Sequence, residues 1–483
     1  MSIERGLYQL IISRLDGNKV LSPEYQEKIF ELVSKDIGGF IIFGGERDNV
    51  KVFIEKLQSI SGVPLFIASD IERGVGRQIS NTTMFPCQMA VRAAINRGRP
   101  EDIVLLRDAI RAIANEAIYI GINMPLIPVL DVNQNPDNPI ICTRAFSDNP
   151  EDVSWFGSEY IKVLEDSGLI SCAKHFPGHG DTSIDSHISL PVITKSFKEL
   201  MSTDILPFKE AIRSGASSIM IGHLNITALD SVPASLSKKV ISGLLRKELG
   251  FEGLVITDAL NMSALSNIDN VPARCINAGV DILLHPGDAD LTVKELISAI
   301  TTKVIDERDV YTTIGRITNA KTKLQHINRA EVDQYNNNLL SKHITEKSIT
   351  LVKHKAGILP VTYKNMVHIV VAGDERLHKP SLWRFEQGFS DEITIFPIFS
   401  ETVAWRGTSG ISDEERTRIS GLIRKAKKSI VISFGSPYIL RHFKEADILI
   451  AAYDAGEQAQ EAVIKCLRGE MDFKGQMPVT ISL

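Results

Sequence analysis

The sequence predicts an α/β protein in two parts, a TIM-like (β/α)8 barrel followed by a smaller α/β sandwich domain. Short apolar runs without alternation recur between longer helical patterns, as parallel strands covered on both faces do. The chain has 483 residues, more than one domain usually holds. A polar stretch, NRAEVDQYNNN, separates a long first series of β-then-α units from a shorter second one. For the first series a doubly wound sheet is the alternative to a barrel.

Taken in order, MSIERGLYQLIISRLDG reads as an amphipathic helix. Strands follow at 39–45, 64–70, 124–132, 169–176, 217–223, 253–259 and 280–287. Between them lie helical patterns such as PEDIVLLRDAIRAIANEAIYI and PEDVSWFGSEYIKVLEDSG, and DVYTTIGRITNAKTKLQHI closes the series. Residues 1–328 are thus expected to form the barrel, 329–346 a linker and 347–483 the sandwich domain. In the last, SITLVKH, MVHIVVAG, SIVISFG and DILIAAY read as strands, and DEERTRISGLIRKAKK and EQAQEAVIKCLRG as helices. Asp70, Asp131, His175, His223, Asp258 and His285 each fall at or near the end of an apolar strand, where a barrel carries its active site.

Composition narrows the function. A net charge of −5 argues against a general nucleic-acid binder. No apolar run reaches membrane-spanning length. The N-terminal segment lacks the basic start, long apolar stretch and cleavage site of a signal peptide, which sets the expectation of a cytoplasmic protein. The five cysteines are scattered and without CxxC spacing, as buried thiols of a reducing compartment are. No phosphate-binding loop of the GxGxxG or Walker type is present.

The densest chemistry lies in AKHFPGHGDTSIDSH, residues 173–187. His175 and His179 are four apart, but Pro177-Gly178 breaks the helix that would aim both at one metal ion, and no Glu follows His175 as HExxH requires. No metal site is expected, and His179 reads best as a histidine that ties its own loop together. Asp185 and His187 are two apart, so in an extended segment both project to one side. The carboxylate can then fix the imidazole's tautomer and leave its other nitrogen free to trade a proton. Asp258 in VITDALNMSAL reads equally as a helix N-cap and as an ionised nucleophile.

KHFPGHGDTSIDSH resembles the hallmark segment of glycoside hydrolase family 3, and more narrowly the bacterial β-N-acetylglucosaminidases within it. ASDIERGVGR, PVLDVNQNPDNPIICTRAFSDNP, VITDALNMSAL and the terminal LRGEMDFKGQMPVTI are similar to other segments of that family. The resemblance implies a barrel catalytic domain with an α/β sandwich behind it. It makes Asp258 the catalytic nucleophile, His187 the acid/base and Asp185 its partner. It further implies that Asp70, Arg77, Arg144, Lys174 and His175 hold an N-acetylglucosamine ring. Arg73 stands where the family usually has glycine, and Arg77 lies one residue closer to Asp70 than usual. The implied activity is retaining, exo-acting release of terminal N-acetylglucosamine from cell-wall-derived muropeptides or related disaccharides, without metal or organic cofactor. The partner expected is the sugar substrate, with neither nucleic acid nor membrane. A β-N-acetylglucosaminide phosphorylase, a metal-dependent barrel amidohydrolase and a non-catalytic sugar-binding protein are the alternatives. Oligomeric state is not legible.

Overall fold

The structure is a computed structural model that describes residues 2–184, 189–324, 330–362, 367–383, 385, 393–401 and 410–483. Among them, two compact units form. The first comprises 1–85, 107–132 and 150–337, and the second 86–106, 133–149 and 338–483.

Eight of the first unit's described strands are wound in chain order, leaving aside the short pair Val192–Ile193 and Asn225–Ile226: β1 (Ile11–Asp16), β2 (Gly39–Phe43), β3 (Phe66–Ser69), β4 (Met124–Pro125), β5 (Cys172–Phe176), β6 (Ser218–Ile221), β7 (Leu254–Thr257) and β8 (Leu283–Leu284). Every ladder is parallel. β8, β1, β2, β3 and β4 form one sheet, and β5, β6 and β7 another. Two parallel bridges, Val129 with Lys174 and Ile256 with Ile282, join the sheets on both sides and close the barrel. Most strand residues are apolar because both faces are covered. Phe40, Phe66, Ile67, Ile219, Val255 and Ile256 are all buried, each worth about 1.5–3 kcal/mol relative to exposure. Helices such as Pro150–Asp166 and Glu307–Lys323 pair an apolar face with a charged one.

The N-terminal segment departs from the single helix expected. A short helix over Ile3–Tyr8 stops, and Ile11–Asp16 becomes the first barrel strand. Its Ser13 and Arg14 interrupt the apolar run, which hides a strand that is otherwise buried.

The second unit is built on a mostly parallel sheet in the order β9 (Thr350–Lys353), β14 (Ile448–Ala451), β13 (Ser429–Gly435), β12 (Ile393–Ser400), β10 (Val367–Ile369), with β11 (Ala372–Gly373) also on β12. Only β9 runs antiparallel. Alternate side chains feed two cores. Phe396, Ile398, Val431 and Leu449 meet Ile419 and Ile423 of the helix Asp413–Lys425 on one face. Ile395, Ile430, Ile432 and Ile450 meet Ala459, Val463 and Leu467 of the helix Glu457–Arg468 on the other. Layers of helix, sheet and helix make this the α/β sandwich. Met89, Ala90 and Ala93, on the helix Gln88–Ala94, join the first of these cores with Cys142, which is why 86–106 and 133–149 group with this unit. Residues expected as a linker instead hold a helix over Gln334–Ser348.

Candidate active site

The ends of the barrel strands gather the polar residues. β5 carries Lys174 and His175. Lys174 is 1 % exposed, yet its Nζ lies 2.6 Å from Asp70 Oδ1 and 2.8 Å from Glu72 Oε1. Asp70 immediately follows β3 and Glu72 stands two residues on, so one buried ammonium fastens the β3 turn to β5. Asp70 keeps about a third of its side chain exposed, which leaves carboxylate surface for a ligand hydroxyl.

Asp131 is fully buried beyond β4. Its Oδ2 accepts from His175 Nδ1 at 2.7 Å, and its Oδ1 accepts from the backbone N–H groups of His175 (3.3 Å) and His179 (2.7 Å). Burial pushes this carboxyl upward, but the His175 charge and these hydrogen bonds outweigh it and hold the group below the usual carboxylate range. An ionised carboxylate only accepts, so His175 Nδ1 carries the hydrogen of this bond.

His179 is likewise buried. Its Nδ1 is 2.8 Å from Thr182 Oγ1, whose hydroxyl donates to the His179 carbonyl at 3.0 Å. Burial depresses its pKa to about 4, so the ring is neutral at ordinary pH and donates from Nδ1. The residue ties its loop together as expected. The loop's glycines are required by packing: a Cβ on Gly180 would sit 1.8 Å from the Val132 carbonyl oxygen, and one on Gly178, at φ +130°, 2.7 Å from Asp204 Cβ.

Asp258 follows β7. Its backbone N–H donates to Ile221 O at 2.9 Å and its Oδ1 accepts from Ala259 N at 2.8 Å. No α-helix starts here; the next helical turn is the 3-10 segment Ser263–Leu265. The helix-cap alternative is therefore set aside. Thr257, just before Asp258, pairs with Ile221, which pairs in turn with Phe176 beside His175, so Asp258 and the polar residues of β5 share one end of the barrel. His223, fully buried, braces the turn: its Nε2 donates to Ala259 O at 3.2 Å and its Nδ1 lies 2.8 Å from Ser235 Oγ. His285 follows β8 with φ +47° and packs 5.8 Å from Phe43. Burial and the neighbouring Arg14 both lower its pKa.

Of the predicted site residues, Asp70, Lys174, His175 and Asp258 thus come together. Arg77 is exposed on the 3-10 turn Val75–Arg77 of the same unit. Arg144 belongs to the second unit, on the turn Cys142–Arg144, where its Nη1 donates to Ile140 O at 3.1 Å. Asp185 and His187 lie outside the described residues. Glu72 was not anticipated; its signal was the i, i+2 spacing from Asp70 beyond a strand. Among the described residues no group of three or more His, Cys, Asp or Glu could hold a metal ion, and no helix is long and apolar enough to cross a membrane.

The model of the glycosyl hydrolase family 3 N-terminal domain matches residues 3–320. β-Hexosaminidase A of Pseudoalteromonas piscicida is 34% identical, over 96% of this chain and 92% of its own. A family 3 β-N-acetylglucosaminidase structure from Paenibacillus superposes with a TM-score of 0.86 at 26% identity, covering 100% of this chain and 99% of that one. A β-glucoside phosphorylase gives a TM-score of 0.88 at 22% identity, over 99% and 94%, a likeness of fold alone. A barrel with this cluster at its strand ends and these relatives is a glycoside hydrolase, of the β-hexosaminidase and β-glucosidase kind. The chain belongs to glycoside hydrolase family 3.

Proposed function

We propose that the chain is a retaining, exo-acting β-N-acetylglucosaminidase, with terminal N-acetylglucosamine of wall-derived muropeptides or related disaccharides as its substrate. The observation that carries this is the buried Lys174, fixed between Asp70 and Glu72 in the barrel end that also holds Asp258. Such a cluster presents fixed charges and hydrogen-bonding groups to a sugar ring and a carboxylate to its anomeric carbon. Asp70, Lys174 and His175, with Arg77, hold the ring in position for attack. Asp258 attacks the anomeric carbon while the glycosidic bond breaks and His187 gives its proton to the leaving oxygen. His187 then takes a proton from water, whose oxygen displaces Asp258 and restores the carboxylate. Asp185 orients the imidazole in both steps, as a carboxylate does for other catalytic histidines.

The test begins with p-nitrophenyl β-N-acetylglucosaminide against p-nitrophenyl β-glucoside. A strong preference in kcat/KM for the N-acetyl sugar is expected, because polar groups left unpaired by a poorer substrate discriminate steeply. Asp258→Ala should nearly abolish turnover with the melting temperature little changed; near-normal kcat would end its assignment as nucleophile. His187→Ala should slow substrates with poor leaving groups by about 10²–10⁴ and dinitrophenyl glycosides far less. Equal losses would place His187 elsewhere. Products formed in millimolar phosphate should be mainly the free sugar; dominant N-acetylglucosamine 1-phosphate would make the chain a phosphorylase with the same nucleophile.

A further inference from the structure

A cavity of about 170 Å³ lies wholly within the sandwich unit and is lined by Asn96, Arg99, Asp102, Lys347, Lys474 and Gln476. Three stretches far apart in sequence converge on it. The loop Asn96–Arg99 leads into the helix Pro100–Ile120, folded by Gly98 N–H donating to Asn96 Oδ1 at 2.9 Å. Lys347 comes from the last turn of the helix Gln334–Ser348. The C-terminal segment is strapped alongside by Gly475 N–H on Ile349 O (3.0 Å) and Gln476 N–H on Ala93 O (2.9 Å).

The charges of this cavity do not balance. Its one carboxylate, Asp102, is engaged at both oxygens, Oδ1 by the Lys347 ammonium and Oδ2 by the Asn96 N–H at 3.0 Å. Arg99 and Lys474 have no ion-pair partner among the described residues. Two exposed cations therefore border a small cavity without an ion-pair partner, in a chain whose net charge is −5. The space is well below that of a pocket for a drug-sized ligand, so a disaccharide is excluded and a tetrahedral anion is admitted. A guanidinium fork and an ammonium are the usual partners of phosphate oxygens, and the amides of Asn96 and Gln476 supply further donors.

We propose that this cavity is a binding site for a small dianion of the phosphate class, either free phosphate or the phosphate group of a monoester. Bound there, the anion joins the helix start at Arg99 to the C-terminal segment at Lys474 and stabilises the folded unit by mass action.

The full chain is titrated with sodium phosphate at ionic strength held constant with sodium chloride, following heat release and melting temperature. Saturable binding with a rise in melting temperature is expected. Arg99→Gln or Lys474→Gln should weaken it at least tenfold, since charge-assisted hydrogen bonds of this kind are worth about 1.5–3 kcal/mol, and the double variant should abolish it. Both side chains lie at the surface, and melting of each variant in chloride alone checks that it folds. Glycerol 3-phosphate is run in parallel: comparable binding assigns the phosphate of a monoester, and binding of phosphate alone assigns the free anion. No saturable response, or an equal response in the double variant, overturns the proposal.

Discussion

Asp131 and His179 show how one residue can organise a site it does not line. Asp131 accepts three hydrogen bonds from His175 and His179, and a buried donor left without an acceptor costs about 1–3 kcal/mol. Asp131→Ala should therefore destabilise the chain by several kcal/mol in urea unfolding, with Asp131→Asn between it and the parent. His179 makes a pH-dependent contribution. Its folded pKa is about 4, whereas the unfolded chain takes up the proton near 6.5. Between these values the unfolded state binds more protons, so stability falls as pH falls from about 6.5 to 4. His179→Asn should flatten that part of the profile, a change read from melting temperatures at several pH values. Lys174, His175 and Asp258 were legible in the sequence because one dense loop and one strand end announced them. The partners of Lys174 and His175 were not. Asp70 lies 104 residues from Lys174 and Asp131 lies 44 from His175, and only the winding of the barrel brings them together.

At the scale of elements, patterning found the strands whose apolar runs are continuous and missed those with an interruption. β12 contains Pro397, and proline normally argues against a central strand. Here β10 pairs with β12 at 393–395 and β11 at 398–399, so the missing N–H falls in the gap between two short neighbours. The helix Glu307–Lys323 carries a different anomaly. Lys321 is 3 % exposed at the foot of the barrel, its Nζ 2.8 Å from Gln9 Oε1 and 4.9 Å from the Phe66 ring centroid. Burial lowers its pKa to about 7, although the aromatic face opposes that shift by favouring the ammonium. Between pH 7 and about 10.5 the unfolded chain keeps a proton the folded one has released, so this residue makes stability rise with pH across that window. Lys321→Met should raise the melting temperature most below pH 7 and lose its advantage toward pH 10. The gain should be about 1–4 kcal/mol, as for other buried charges replaced by apolar groups, less the cost of leaving Gln9 Oε1 without its donor.

Across the whole molecule, the sequence announced two α/β series but not their true membership. A boundary near residue 330 is what hydropathy shows; the compact units cross it, because 86–106 and 133–149 pack with residues after 338. A chain ended at residue 328 should consequently expose Met89, Ala93 and Cys142 together, since their partners Tyr438, Phe443 and Leu449 would be gone. Such a chain should aggregate or bind a hydrophobic dye, whereas a monodisperse, dye-silent product would show that those stretches fold without the sandwich. The stretch 133–149 is tied to the far end of the polypeptide: Ser147 Oγ donates to Pro478 O at 2.5 Å, and Thr480 N–H donates to Asp148 Oδ2 at 2.7 Å. Ribosomes add about 5–20 residues per second, so on the order of 15–65 s separate the emergence of residue 148 from that of its partners. For that interval the nascent polypeptide carries Met89, Ala93 and Cys142, buried in the folded protein, without the Tyr438, Phe443 and Leu449 of the core they join. Its cellular yield should depend on chaperones that shield this internal stretch until residues 438–480 have been made.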